Sequence, residues 1–582
     1  MEPVRIVSVQ LEQPVIGLYE RCELTVQLAG DIINPYDPDE LTLEVTFQPA
    51  RGRPVTVSGF YYQPFEQVTT SRGAPAIQPA GEPVWKVRFT PTRTGRWAYQ
   101  LRLLTKGTAV EGPSGAVEVS PSTRLGFVRL DHATGLMRFD RGETFIPIGE
   151  NLAWAPSSQL LETYDRWFEE LSRQRANYIR VWLAPWSLRL ETKETGVGRY
   201  DQMRAWQLDQ LLERSDKAGL YWQLCLLSHG SFSRTHDPDW QNNPYNHDLG
   251  GMCRLPNEFV TDPRAKALFR RLLQYLVSRW GYSPQLATWE MFNEADASDI
   301  RSEDFVPWVG EMSRLLRVID ANRRPITVSF QRESGEAVWK LPTIDTVQLH
   351  VYDQRDFGEI FSGPLLPQLE AQFHKPVMVG EFGWIGEFVR DVDRDGIHLH
   401  DGMWASLVGG SMSSAMPWWW DNYIHPNQLE HHYRPLARFW RGEQLEEPLN
   451  RMMLVPSDAD VLGCATGTSS QAYLWVKNRT HNVSQYLAYR CELAKQRLRA
   501  QRRQPVGPSP SYPPRVISGA TVMLSGLKSN GRYRLEWWDT YRGRVMRTNV
   551  VTAERGQVVL KMPDLAFDVA AKLVWLHWWE HG

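Results

Sequence analysis

Cysteine is scarce. Cys22, Cys225, Cys253, Cys464 and Cys491 are the only five in 582 residues. They are odd in number, widely spaced and contain no CxxC, which excludes a disulfide framework and a cysteine zinc site as organising devices. Cys225 falls inside an apolar run and reads as a buried thiol. Long apolar runs are missing as well, so no membrane-spanning helix is expected and no membrane partner. The opening Met1-Glu-Pro-Val-Arg-Ile-Val lacks the pattern of a signal peptide, which leaves a cytoplasmic protein or a secreted one whose signal has been removed. Excess charge is absent too. With 65 basic and 67 acidic residues the net charge is −2, and no basic field invites nucleic acid or an anionic surface.

What the chain has in plenty is tryptophan, 25 in all. Many must fill cores, but several fall at the ends of predicted strands, where aromatic faces suit the apolar faces of sugar rings. The length implies several domains. Residues 1–122 alternate with period two in Cys22-Glu-Leu-Thr-Val-Gln-Leu, Leu41-Thr-Leu-Glu-Val-Thr-Phe and Trp97-Ala-Tyr-Gln-Leu-Arg-Leu, with glycine and proline between the runs. That pattern predicts an immunoglobulin-like β-sandwich. Gly59-Phe-Tyr-Tyr-Gln63 within it reads as core or interface packing. Residues 443–582 return to the same grammar and predict a second sandwich, with a basic, proline-rich insert at 495–514 that reads as a solvated loop.

Between them, at 123–442, strands and helices alternate. Strands are predicted at 144–151, 177–183, 220–228, 286–293, 325–330, 346–352, 376–381 and 411–417. Helices are predicted at 160–175, 206–218, 263–280, 303–320, 365–373, 398–407 and 428–440, Gly219 being a usual helix stop. This is the order of an α/β (β/α)8 barrel. A doubly wound sheet is the competitor, but no glycine-rich phosphate loop follows the first strand.

Two of these strands end on a carboxylate. Leu286-Ala-Thr-Trp-Glu-Met-Phe-Asn-Glu294 is an apolar run that stops on Asn293 and Glu294, and Pro376-Val-Met-Val-Gly-Glu381 stops on Glu381. A lone Asn-Glu would simply start a loop. Two strand-terminal glutamates in one such domain are what glycoside chemistry with paired carboxylates requires. The other strand ends supply Glu150, Asn151 and Trp154; Arg180 and Trp182; Ser228 and His229; His350 and Tyr352; Trp384; and Trp418, Trp419 and Asp421. Strand parity turns Arg180 and Trp182 to one face and Ile179 and Val181 to the other; His350 and Tyr352 stand likewise opposite Leu349 and Val351. A buried Arg180 needs a carboxylate partner, and Glu381 or Glu294 could supply it. Glu150 could bind a sugar hydroxyl or be a structural acid. Glu290, deeper on the strand, reads as a core partner. His398, His400, Asp401, His431 and His432 lie on predicted helices without a third ligand at metal spacing and read as structural, so no metal or cofactor is expected. Loop 229–261 is too long for a mere connector and reads as a wall of the site.

The run Trp289-Glu-Met-Phe-Asn-Glu294 resembles the strand-four signature of clan A glycoside hydrolases, the clan of the family 5 cellulases and mannanases. The resemblance implies Glu294 as acid/base, Glu381 as nucleophile, Asn293 at the sugar 2-hydroxyl, Arg180 near the nucleophile, His350 and Tyr352 as the strand-six pair, and Trp418 or Trp419 as the sugar platform. Trp418-Trp-Trp420, a triple tryptophan, and strand five depart from the usual family 5 pattern. The resemblance implies a retaining, endo-acting hydrolase of a β-glucan or β-mannan. An exo-acting β-glycosidase, a barrel that binds carbohydrate without turnover, and a metal-dependent hydrolase built on His229 and His350 are the competing readings. Beside Arg180 and Tyr352, Glu381 should stay ionised. Beside that charge, Glu294 should be raised and carry the proton.

Overall fold

The computed structural model describes residues 2–70, 73, 75–106, 108–331, 333–353, 356–384, 393–502, 504–505, 512–513 and 515–576. At the N-terminus, period-two alternation builds two sheets. Leu41–Pro49 buries every second side chain and exposes or half-buries those between. A four-stranded sheet runs Arg5–Leu11, Cys22–Ala29, Val84–Phe89, Phe60–Tyr62. A five-stranded one runs Val15–Gly17, Thr108–Ser120, Gly95–Thr105, Leu41–Pro49, Val55–Ser58. Leu24, Val26 and Val87 of the first share one core with Leu43, Phe47, Trp97 and Leu101 of the second.

The middle of the chain is parallel α/β. Gly149–Asn151, Tyr178–Trp182, Tyr221–Cys225, Leu286–Glu290 and Ile326–Thr327 form one parallel sheet, and Ser329–Phe330, Val347–Tyr352 and Val377–Gly383 form another. Gly149 is required by close approach, because a Cβ there would lie 1.7 Å from the Tyr178 carbonyl oxygen. The helices between strands carry their expected signals. Gln202–Ala218 starts on Asp201, whose side chain accepts from the Arg204 N–H, and ends on left-handed Gly219 (φ 73°). Pro263–Trp280 starts with proline behind an Asp262 cap.

Three expectations are corrected. Residues 411–417 form two isolated parallel bridges, Val377 to Ser411 and Phe382 to Pro417, and not a continuous strand. Proline lacks the donor a ladder needs, and serine hydroxyls replace ladder partners, as where Ser406 Oγ accepts from the Ala415 N–H at 2.7 Å. The segment still joins the outer edges of the two parallel sheets: the Met412 and Met416 N–H groups donate to Val377 and Val379, and the Ser414 N–H donates to Pro147. The last helix of this region is shorter than expected, Tyr433–Trp440, behind a 3-10 turn at Leu429–His432. The insert at 495–514 opens as helix: Val483–Gln501 is capped by Asn482, and its run of Ala, Leu, Gln and Arg favours helix. Residues 503, 506–511 and 514 of that insert lie outside the described residues.

An antiparallel trio, Val128–Asp131, Leu136–Phe139 and Thr144–Phe145, closes the N-terminal end of the parallel strands. Its Val128, Met137 and Phe139 pack with Tyr178, Ala287, Met378 and Met412. The C-terminal residues form a six-stranded and a three-stranded antiparallel sheet around a separate core that includes Leu474, Trp537 and Leu573. Both ends of the chain dock through buried charge. Arg88 and Arg279 each meet Asp209 at 2.7 Å. Lys477 lies buried between Asp401 (2.5 Å) and Asp356 (3.0 Å). Among the described residues, no helix is long and apolar enough to cross a membrane.

Candidate active site

Side chains converge at the C-terminal ends of the parallel strands, the opposite end from the antiparallel trio. Arg180 is fully buried and organises the floor. Its Nε and Nη2 donate to Glu290 at 2.6 and 2.8 Å, Nη1 to Asn151 Oδ1 at 2.9 Å and Glu381 Oε1 at 2.6 Å, and Nη2 also to Asn293 Oδ1 at 2.6 Å. The partners of Arg180 are therefore Glu290 and Glu381, not Glu294. Gln223 and Gln348 complete the shell of Glu290, at 2.7 and 3.3 Å. A buried arginine on the floor of such a site is tolerable only because every nitrogen is paired.

The two strand-terminal glutamates meet above this floor. Tyr352 donates its hydroxyl to Glu381 Oε2 at 2.5 Å. His350 Nδ1 lies 2.7 Å from Glu294 Oε1 and 3.4 Å from Glu381 Oε2. A carboxylate oxygen of Glu294, a carboxylate oxygen of Glu381 and a ring nitrogen of His350 all fall within 4.8 Å of one another. The strand proper ends at Glu290, and the chain reaches Glu294 through Met291–Asn293, held by the Thr327 and Leu227 carbonyls. Glu294 then adopts a left-handed backbone, φ 48° and ψ 57°. A non-glycine residue held there costs on the order of 1–3 kcal/mol, a cost concentrated at functional turns. Asp353 (φ 56°) and Trp419 (φ 67°) line the same cleft with the same left-handed backbone.

The electrostatics reverse the expected order of the two acids. Burial alone would raise Glu294, but the His350 hydrogen bond and charge, with help from His229 and Gln331, hold it down to about 2. Burial pushes Glu381 above the ordinary carboxylate range, outweighing the pull of His350 and Arg180, and the nearby Glu294 adds to the rise. The physical reason is that Arg180 is shared. Glu290 takes two of its hydrogen bonds and itself stays low.

The cleft above these groups has a volume of about 1030 Å³, and its described lining residues run from 182 to 419. Trp182, His229, Trp418 and Trp419 stand in its wall together with Glu294, His350, Tyr352 and Glu381. Asn293, just beneath, accepts from Arg180 and lies 2.9 Å from His229 Nδ1. Four expected contacts lie elsewhere. Glu150 is turned from the cleft, accepting from the Tyr433 hydroxyl at 2.5 Å and meeting His425 at 3.0 Å, so it is a structural acid whose partners are a tyrosine and a histidine. Asn151 is fully buried, with its amide on the Gly380, Met416 and Pro417 carbonyls and its Oδ1 accepting from Arg180. Trp384 stacks on His398 at 6.0 Å and accepts at its carbonyl from Trp419 Nε1. Trp154 lies against Trp418 but lines a neighbouring depression.

Other groups at the cleft had no strong sequence signal. Gln331 Nε2 donates to Glu294 Oε2 at 3.1 Å. It follows strand five directly and would have been found by reading one residue past the strand end. Ser329 Oγ accepts from the Glu294 N–H at 3.0 Å. From loop 229–261, Asp237 meets His229 Nε2 at 3.2 Å and lies beside His236 in the wall. Burial lowers His229, but Asp237 and Glu294 outweigh it and raise the ring above its ordinary value. His229, His236 and Asp237 could together approach one ion, as could Glu294, His350 and Glu381. The histidines on helices are engaged otherwise: His398 with Asp393 (2.6 Å) and His400 with Asp568 (3.1 Å).

A domain of unknown function, DUF5060, matches residues 16–103. The chain is 24% identical over 202 residues to the probable mannan endo-1,4-beta-mannosidase F of Aspergillus oryzae, covering 33% of this chain and 42% of that protein. It is 21% identical over 182 residues to mannan endo-1,4-beta-mannosidase 4 of Solanum lycopersicum, covering 29% and 44%. The chain thus spans less than half the length of the curated relatives it matches. A candidate glycoside hydrolase from Bacteroides vulgatus shares the fold over 97% of this chain and the whole of its own, with a TM-score of 0.62 at 14% identity.

Proposed function

We propose that the chain is a retaining glycoside hydrolase that cleaves β-linked polysaccharide. In this reading the eight parallel segments of residues 123–442 close into one (β/α)8 barrel, flanked by β-sandwiches at 1–122 and 443–582. One observation carries the proposal: Glu294 and Glu381 present carboxylate oxygens within 4.8 Å, on either side of His350, in an open cleft walled by tryptophan. Carboxyls roughly 5–5.5 Å apart suit a covalent step, whereas an inverting enzyme needs roughly 6.5–9.5 Å to seat an attacking water. The mannan-cleaving relatives favour β-mannan as substrate, and their endo action favours attack within the chain.

The steps follow from the contacts. Arg180 and Tyr352 fix both oxygens of Glu381, which attacks the anomeric carbon as an anion. Glu294 gives a proton to the departing glycosidic oxygen, so the C–O bond breaks without releasing an alkoxide. Delivering that proton requires that the bound glycan loosen the His350 contact that holds Glu294 low. Once Glu381 is esterified its charge is gone. Glu294 then takes a proton from water, the water attacks the anomeric carbon, and the bond to Glu381 breaks.

The test is stereochemical. Proton NMR of the first product from a β-linked substrate, before mutarotation, should show the β-anomer. An α-anomer formed first removes Glu381 as nucleophile and with it the roles given to Glu294 and Arg180.

A further inference from the structure

Beside the cleft lies a second depression of about 1220 Å³ that the catalytic groups do not reach; Trp154, Trp186, Gln159, Arg166 and His431 are among its walls. What separates it from the cleft is a row of tryptophans. Trp154 packs edge-to-face on Trp418 (5.6 Å, 72°) and Trp182 (5.4 Å, 65°), both of which line the cleft. On its far side Trp154 meets Trp186 at 5.0 Å and 86°. The aromatic surface therefore runs unbroken from the catalytic cleft to Trp186. Trp186 is 49% exposed. A ring of this size, anchored against Trp154 yet half in water, presents a fixed apolar face to solvent.

We infer that this depression continues the cleft and holds further sugar units of a β-linked glycan chain, with Trp186 as the outer stacking surface. The inference rests on reading the cleft as a glycosidase site. The chemistry around Trp186 favours a sugar over an apolar or anionic partner. Arg166 meets Thr163 only at the limit of a hydrogen bond, 3.5 Å, which leaves most of its donors for hydroxyl oxygens. His431 engages the Gln428 carbonyl through Nδ1 at 2.7 Å, which leaves its second ring nitrogen for a hydroxyl. Gln159 offers both a donor and an acceptor. The charges are mixed: Arg173 is paired with Glu170, and Asp421 and Glu430 stand in the same walls. A neutral, hydroxyl-rich ligand with apolar ring faces matches that mixture. The depression meets the cleft where Trp154 packs on Trp418, so a chain filling it would leave the cleft past those rings.

The experiment compares wild type and Trp186→Ala on soluble β-mannan and β-glucan polymers and on an aryl β-glycoside with a single sugar. The expected result is a fall of about tenfold in kcat/KM on the preferred polymer, with aryl glycoside turnover unchanged. Unchanged aryl turnover also shows that the variant is folded. In parallel, Glu381→Gln and Glu381→Gln/Trp186→Ala are run through native gels containing the polymer. Weaker retardation of the double variant supports the groove without depending on catalysis. Equal polymer-to-aryl ratios together with equal retardation overturn it. If wild type cleaves none of these substrates, the glycosidase reading fails, and the retardation difference alone then decides whether the groove binds glycan.

Discussion

Under the N-terminal sheets, Arg88 and Arg279 close on Asp209, with Glu23 on the other side of Arg88. On the floor of the cleft, Arg180 closes on Glu290 and Glu381. The parts are the same and the distances are alike, 2.7 Å in the first network and 2.6 Å in the second. The balance of charge differs. In the first, Arg88, Arg279, Lys86 and Arg21 surround two carboxylates, and although burial would raise them, both Asp209 and Glu23 are held down to about 2. In the second, one arginine serves two carboxylates while a third, Glu294, depends on His350, and Glu381 is pushed up. A network with a cation for every anion is closed and serves docking. One that is short of a cation leaves an acid raised above the ordinary carboxylate range and facing a cleft, which is where reactivity is found.

The comparison can be broken from either side. The largest expected effect is on turnover: Glu381→Gln and Glu294→Gln should each lower kcat roughly a thousandfold or more, read on an aryl glycoside. Their melting temperatures should stay near wild type, because Arg180 keeps its paired bonds to Glu290. Asp209→Asn should do the opposite. It leaves the buried Arg279 without a carboxylate and Arg88 with Glu23 alone, so unfolding free energy should fall by about 3–5 kcal/mol, measured by urea titration, while kcat per folded molecule holds. An Asp209→Asn chain as stable as wild type, or a Glu381→Gln chain that turns over normally, would erase the distinction drawn between the two networks.

The same contrast explains what was legible in the sequence. Periodicity is local, so the alternating strands, the capped helices and the split of Arg180 and Ile179 to opposite faces could be read directly. Glu290 could be read as a core partner because it sits four residues before Glu294 on one strand face. Partner choice is not local. Nothing in the run around Glu150 announces Tyr433 and His425, which lie far along the chain, and nothing around Arg180 says that Glu290 will take two of its hydrogen bonds. The reversal of Glu294 and Glu381 follows from that sharing and so was out of reach. Residues 411–417 looked like a strand by composition, but the segment is held by isolated bridges and by serine hydroxyls, Ser414 Oγ accepting from the Gly149 N–H and Ser406 Oγ from the Ala415 N–H. Gln331 and Asp237 lie in loops, where no period operates.

The smallest expected effect concerns how the cation shortage at the cleft is made up. Glu381 is raised, so it ionises only above the ordinary carboxylate range, and kcat/KM should climb as pH rises through that ionisation. The Tyr352 hydroxyl opposes the rise by donating to the anion. Tyr352→Phe removes a donor that serves only the charged form, so the folded-state value of Glu381 must move further up. The acid limb of the kcat/KM profile should then shift to higher pH, and the loss relative to wild type should be greater at pH 5 than at pH 7. Arg180 remains in place in the variant, so the carboxylate keeps one oxygen fixed and the plateau should fall less than in Glu381→Gln. The measurement is a full pH–rate profile of both proteins on one aryl glycoside. A parallel drop at every pH would mean that Tyr352 positions substrate without tuning Glu381. A limb that moves to lower pH would mean that the hydroxyl stabilises the protonated acid, and the account of a cation-poor cleft would have to be abandoned.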